Sequence, residues 1–295
     1  MSSRRKLLDL FETFLIDCDG VLWRGDKAIE GASRAVQVLQ AHNKQVIFVS
    51  NNCTKTVDMF QHKFKTILNI DNIPSENIFM PAVSTAIYLK NKMNINTEKV
   101  FLIAQDAFKT TLEEHGIPSF GLGPVGIKQV HEWGDFEVDK SVKYVIVTYD
   151  PYYCHTKLTE AYLYIKENKA EFIAPDCDNF FAVSSTRKVP GSLSMQAGLS
   201  AVLEEKPRIM GKPDPLFFEL IQKEHGEMNL SKTIMIGDNY NTDIKFGFNC
   251  GISTALVLTG NTKPEDIASF GGKQPDFVLG GLGDINDDLE NKFHV

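Results

Sequence analysis

The stretch Phe14-Leu15-Ile16-Asp17-Cys18-Asp19-Gly20-Val21-Leu22-Trp23 sets a short apolar run against two carboxylates two residues apart and a glycine. An apolar run without polar alternation fits a strand buried on both faces, as in a parallel sheet covered by helices. In an open parallel sheet, ligands bind in the crevice beyond the carboxyl ends of the strands. Alternation along an extended chain puts Asp17 and Asp19 on one side, and Gly20 lets the chain turn away at once. Such a pair can divide two roles, Asp17 attacking an electrophile and Asp19 exchanging a proton. Taken alone, Asp-x-Asp-Gly reads more readily as a solvated turn with a helix cap.

Outward from this stretch, short runs rich in Val, Ile and Phe alternate with longer amphipathic segments, the pattern of an α/β chain. Strands are expected at 13–16, 45–49, 100–104, 143–148, 171–174, 208–210, 233–236, 254–258 and 276–279. Apolar residues at three- and four-residue steps predict helices at 32–42, 57–68, 84–93, 157–168, 193–205 and 215–224. The polar strand ends cluster in the first and last parts of the chain, so the middle reads as an inserted domain. Core residues 1–80 and 207–295 then flank an insert at 81–206, with Pro81 and Pro207 marking the seams.

Three further strand ends carry polar residues. Ser50-Asn51-Asn52-Cys53-Thr54 follows an apolar run, and its hydroxyl and amides before a helix form either an anion cradle or plain N-caps from Asn52 or Thr54. Gly211-Lys212-Pro213-Asp214-Pro215 puts a lysine between a strand and a proline-primed helix, where it is either a phosphate partner or a surface lysine. Gly237-Asp238-Asn239-Tyr240-Asn241-Thr242-Asp243 supplies two more carboxylates. Beside Asp17 they would repel unless a cation intervened, and an all-oxygen set suits Mg²⁺. The alternative for the last segment is capping by Thr242 with Asp243 complementing the helix dipole.

The ordered set Asp17-x-Asp19-Gly20, Ser50, Lys212 and Gly237-Asp238-(x4)-Asp243 resembles the four motifs of the haloacid dehalogenase superfamily. Asp-Gly-Val-Leu-Trp, Ser-Asn-Asn, Gly-Lys-Pro and Gly-Asp-Asn-x-x-Thr-Asp-Ile resemble its p-nitrophenyl phosphatase and phosphoglycolate phosphatase-like branch. The resemblance implies a doubly wound, Rossmann-like parallel-sheet core with a large α/β cap inserted between the second and third motifs. By similarity Asp17 is the nucleophile of an aspartyl-phosphate pathway and Asp19 the acid/base. Ser50, Asn51 and Lys212 bind the phosphoryl group, Mg²⁺ is held by Asp17, the Asp19 carbonyl and Asp238, and Asp243 supports the metal's water shell. The implied substrates are small phosphate monoesters, phosphoglycolate first and pyridoxal phosphate next, with p-nitrophenyl phosphate as an artificial one. The acid at Asp19 favours a phosphatase over the superfamily's pumps, which carry threonine there, and over its dehalogenases. Relatives often dimerise through the cap, which makes a homodimer an expectation here. The cap loop departs from its relatives: Ala174-Pro175-Asp176-Cys177-Asp178 stands where Ala-Thr-Asn-x-Asp is usual, and Phe180-Phe181 suits an aromatic or apolar leaving group.

Composition narrows the alternatives. The chain has 295 residues, 43% hydrophobic and 23% charged, with a formal charge of −7. That balance offers no basic field for nucleic acid or an anionic membrane. Five scattered cysteines without a CxxC pair disfavour disulfides and zinc, and Asp9 and Glu12 interrupt any signal-like run after Arg4-Arg5-Lys6, so a cytoplasmic setting is expected. Gly121-Leu122-Gly123-Pro124-Val125-Gly126 matches GxGxxG, but Pro124 stands where a helix would open. Cys18 reads as a buried spacer, Trp23 and Trp133 as packing residues, and the histidines show no ligand spacing. Two rival functions are a phospho-accepting regulatory module, disfavoured by motif order, and a weakly catalytic scaffold using the cap.

Overall fold

A computed structural model describes residues 6–182, 187–267 and 272–286. Arg4 and Arg5, Val183 of the cap loop and His294 lie outside the described residues. The chain divides into two units, one of Met1–Ser50, Val57–Phe79 and Lys212–Val295, the other of Asn51–Thr56 and Met80–Gly211.

The parallel strands are β1 (Thr13–Ile16), β2 (Gln45–Val49), β3 (Ile78–Phe79), β4 (Lys99–Ile103), β5 (Ser119–Phe120), β6 (Val142–Val147), β7 (Glu171–Ala174), β8 (Arg208–Ile209), β9 (Thr233–Gly237), β10 (Ser253–Val257) and β11 (Phe277–Leu279). The strands expected from the apolar runs all appear, each end within one residue. Among the described parallel strands, the two-residue β3 and β5 escaped, being too short to show a run, and so did two short antiparallel pairs, Trp23–Arg24 with Lys27–Ala28 and Phe180–Ala182 with Lys188–Pro190. The first unit holds a six-stranded parallel sheet in the order β11-β10-β9-β1-β2-β3, and the second a five-stranded parallel sheet in the order β8-β7-β6-β4-β5. In the first sheet the order reverses at β1, with β2 on one side and β9 on the other, and this switch point opens a crevice at the strand ends.

The seam differs from the expected one. Arg208 and Ile209, assigned to the core by sequence, pair with Ile173 and Ala174 of β7 and so join the second sheet. The short segment Asn51–Thr56 also groups with the second unit.

Helices follow from apolar spacing. Val57–Leu68 buries Phe60, Phe64 and Leu68 at four-residue steps. Pro215–His225 starts with proline in its first turn and an Asp214 cap that accepts the Leu216 N–H at 2.9 Å. The helix expected at 84–93 lies at Pro81–Lys90 because Pro81 opens it. Asp106–Glu114 was not foreseen; threonines at 110 and 111 blur its apolar stripe. The first core gathers Phe14, Ile16, Trp23, Phe48 and Phe64, all at most 1% exposed. The second gathers Phe101, Val145, Val147, Ala161, Phe172 and Leu199. No helix among the described residues is long and apolar enough to cross a membrane.

The GxGxxG stretch is a loop after the two-residue β5, without a following α-helix start. In the cap loop, Phe181 packs edge-on to Tyr149 with centroids 5.3 Å apart, and Phe180 is 61% exposed.

Candidate active site

At the tip of β1 the Asp17 N–H donates to the Ile236 carbonyl of β9 at 2.9 Å, so the backbone ladder fixes where its side chain emerges. Lys212 Nζ donates to Asp17 Oδ1 at 2.8 Å and to the Val49 carbonyl, at the end of β2, at 2.8 Å. The same ammonium lies 2.7 Å from Asp243 Oδ1. Asp238 lies just beyond β9, and oxygens of Asp17, Asp238 and Asp243 all fall within 4.8 Å of one another. All three acids and Lys212 are buried.

The supports are local. Asp243 Oδ2 accepts the Asn239 N–H at 3.0 Å. The turn Tyr240–Ile244 is capped by Asn239, which accepts the Asn241 N–H, and not by Thr242. Asp243 therefore faces Lys212 instead of serving only the helix dipole. Asp238 Oδ2 accepts both the backbone and the side-chain N–H of Asn261, the latter at 2.9 Å. Gly20 is left-handed, with φ +89°, and any Cβ there would stand 2.5 Å from Asp238 Oδ2. Both its backbone angle and its missing side chain are needed.

Electrostatics follow from burial. Burial pushes Asp17 well above the usual carboxylate range; Lys212 opposes the rise, and Asp243 and Asp238 add to it. Asp238 is pushed up to about 7, by burial first and by Asp243 second. Burial works against the Lys212 charge, yet Asp17 and Asp243 hold it above the ordinary lysine value. Three buried carboxylates facing one ammonium leave a charge excess that a hard cation would neutralise, and the donors are all oxygen, as Mg²⁺ requires. The residues present thus fit a bound divalent cation.

Asp19 follows Asp17 by two residues, its side chain 49% exposed. Its Oδ1 accepts the Trp23 indole N–H at 2.8 Å. Ser50 is buried at the end of β2, its N–H on the Phe79 carbonyl at 3.1 Å. Asn51 begins the short segment that groups with the second unit, and its Oδ1 lies 2.7 Å from where a Cβ on Gly211 would stand. Asn52 forms a local turn, accepting the Thr54 N–H at 2.9 Å. The first unit thus gathers Asp17, Lys212, Asp238 and Asp243, with Asp19 and Ser50 on the adjoining strand ends. Cys18 is fully buried between the two acids.

Sequence reasoning missed Asn261 and Thr259, whose hydroxyl donates to the Gly20 carbonyl at 2.6 Å. Thr259-Gly260-Asn261-Thr262 is a polar tip beyond the apolar strand β10, the same signal that marked the other four segments. Trp23 and Lys63 were missed because packing explains a tryptophan and solvent a lysine.

Residues 14–118 match the family profile described as haloacid dehalogenase-like hydrolase, and residues 209–285 match one described as HAD-hydrolase-like. Phosphoglycolate phosphatase 2 of Arabidopsis thaliana is 33% identical over 289 residues, covering 96% of this chain and 95% of its own. Glycerol-3-phosphate phosphatase of Homo sapiens is 30% identical over 293 residues, covering 95% of this chain and 91% of its own. Among solved structures, 4-nitrophenylphosphatase from Thermotoga maritima aligns with a TM-score of 0.79 at 26% identity, covering 95% of this chain and 98% of that one.

Proposed function

Because the chain belongs to the haloacid dehalogenase-like hydrolases and is a phosphatase, we propose that it hydrolyses small phosphate monoesters with Mg²⁺ through a phosphorylated Asp17. The observation that carries the reading is the buried cluster of Asp17, Asp238 and Asp243, two of whose members share a single ammonium. Asp17, the Asp19 carbonyl and Asp238 would hold the cation, with Asp243 supporting. When bound, Mg²⁺ neutralises charge that would otherwise keep an anionic carboxylate from a phosphate dianion.

The chain's own residues do the rest. Lys212 is fixed by Asp17, Asp243 and the Val49 carbonyl, so its charge is in place before substrate arrives. Such preorganisation avoids the cost of reorienting dipoles during the reaction. Asp17 attacks phosphorus; Asp19 protonates the leaving oxygen and then deprotonates the water that cleaves the phospho-enzyme. Ser50 and Asn51 bind the phosphoryl oxygens. Residues 81–206, with the short additions seen at the seam, act as the cap that selects the leaving group.

Phosphoglycolate leads as substrate because a relative of that name is 33% identical. Glycerol 3-phosphate follows on the same ground. Pyridoxal phosphate rests on branch resemblance. A cytoplasmic setting rests on five scattered cysteines without a CxxC pair, and pairing of two copies through the cap is the expected assembly, measurable as a doubled mass by light scattering. Phosphate release from a panel of these monoesters, with and without Mg²⁺ and with Asp17→Asn as control, tests the reading. No release above the Asp17→Asn background would sink it.

A further inference from the structure

The turn after Asp17 closes on itself. The Leu22 and Trp23 N–H groups donate to the Cys18 carbonyl at 2.8 and 3.3 Å, and the Gly20 N–H donates to the Trp23 carbonyl at 2.8 Å. This closure brings the Trp23 side chain back to Asp19, where the indole N–H meets Oδ1 at 2.8 Å. The indole is fixed: it is fully buried and set at steep angles to Phe60 and Phe64, with centroids 5.7 and 5.2 Å away. Both phenylalanines belong to helix Val57–Leu68. That helix also places Lys63 Nζ 4.4 Å from the indole centroid and 3.8 Å from the same Asp19 Oδ1. The Lys63 side chain is only 11% exposed. One oxygen of a half-exposed carboxyl therefore meets a fixed donor and a sheltered cation. An indole N–H can only donate, so Oδ1 stays an acceptor in either protonation state. The better acceptor of a protonated carboxyl is its carbonyl oxygen, so this donor and the nearby Lys63 charge favour the proton on Oδ2.

We propose that Trp23 and Lys63 are positioning residues for the hydrolysis, holding Asp19 so that Oδ2 is the oxygen that gives and takes the proton. The proposal rests on the reading of Asp19 as the acid/base. In the first step an Asp17 oxygen bonds to phosphorus while the bond from phosphorus to the ester oxygen breaks. The electron pair stays on the ester oxygen, which receives the Oδ2 proton. In the second step Oδ2 takes a proton from water as the water oxygen bonds to phosphorus and the Asp17–phosphorus link breaks, its electron pair returning to the carboxylate.

The test uses leaving groups of different need. Trp23→Phe keeps an aromatic ring, though a smaller one, and removes the donor; Lys63→Met keeps the stem and removes the charge. The readout is kcat/KM for p-nitrophenyl phosphate, whose phenolate leaves with little help, against glycerol 3-phosphate, whose alkoxide needs a proton. Since general acid catalysis contributes roughly 10²–10⁴-fold, Trp23→Phe is expected to lower kcat/KM for the alkyl ester about tenfold more than for the aryl ester. Lys63→Met is expected to shift the same ratio by about threefold, and Lys63→Arg to restore it. Asp19→Asn sets the largest selective loss attainable. Equal losses on the two esters in both variants, or no loss in either, overturn the proposal. Phosphate release by the unmodified enzyme and its absence in Asp17→Asn establish the phosphatase reading separately, so a failure at Trp23 and Lys63 is theirs alone.

Discussion

Each unit buries an aspartate–lysine pair, and the two pairs are built to opposite ends. In the second unit Asp150 and Lys157 are both inaccessible, with Lys157 Nζ on Asp150 Oδ2 at 2.5 Å and the Tyr152 N–H on Oδ1 at 2.8 Å. One charge meets one charge, and a backbone donor completes the carboxylate. In the first unit the Asp17–Lys212 pair shares its ammonium with Asp243 and lies beside Asp238. That arrangement carries two negative charges too many for a dry interior when all three acids are ionised. A balanced buried pair is complete in itself; the unbalanced one leaves negative charge that a bound cation would neutralise, which is the basis of the proposed metal site.

The sharpest way to break this contrast is at the two aspartates. Asp17→Asn is expected to lower turnover by at least about 10⁴-fold, as loss of a covalent nucleophile does. Its metal-free thermal midpoint is expected to stay level or rise, because a carboxylate disfavoured by burial has been removed. Asp150→Asn is expected to lower the midpoint and keep turnover measurable. Matching behaviour of the two variants in calorimetry would erase the distinction.

The lysines give the next largest effect. Lys157→Met strands a buried carboxylate and is expected to destabilise the second unit by about 3–5 kcal/mol in denaturant titration. Adding Asp150→Leu to that variant is expected to recover most of the loss, since an apolar pair of similar volume replaces the ionic one. A double variant as unstable as the single one would show that the pair does more than balance itself.

Metal and pH sharpen the comparison further. EDTA is expected to abolish activity and Mg²⁺ to restore it. Asp238 is raised to about 7, so between pH 4 and 7 the folded chain holds a proton that the unfolded chain has released. Metal-free stability from this group is therefore lost as pH rises through that window. Mg²⁺ binds the folded state and is expected to raise the thermal midpoint more at pH 7.5 than at pH 5.5. A shift of equal size at both pH values would contradict the assignment of Asp238 to the metal.

The smallest effect is expected in the cap loop. Phe180→Ala/Phe181→Ala is expected to change the aryl-to-alkyl preference in kcat/KM only severalfold, the scale of losing apolar contacts to a substrate. An unchanged preference would remove the cap loop from substrate choice.

Much of this was legible in the chain itself. Apolar runs such as Phe14-Leu15-Ile16 and Ile234-Met235-Ile236 announce buried parallel strands, because a strand covered on both faces has no polar alternation to confuse it. Polar tips on those runs gave Asp17, Lys212, Asp238 and Asp243. Less legible was Arg208–Ile209, whose sheet membership depends on pairing with β7, a contact that no local pattern encodes. Trp23 is the plainest case. As a residue type it announces burial, and the indole is buried; its N–H on Asp19 comes from a turn closed by hydrogen bonds to the Cys18 carbonyl.

The order and kind of residues along the chain thus determined the α/β class, the alternation of strands and helices, and the set of charged groups available, since these follow from burial periodicity and residue chemistry. The tertiary structure alone decided which charges meet, that one ammonium serves two carboxylates while a third stands close by, and that Asp19 has a fixed oxygen. Those facts depend on distances between residues two hundred or more positions apart, as between Asp17 and Asp243, and electrostatic energy is set by separation in space and by burial.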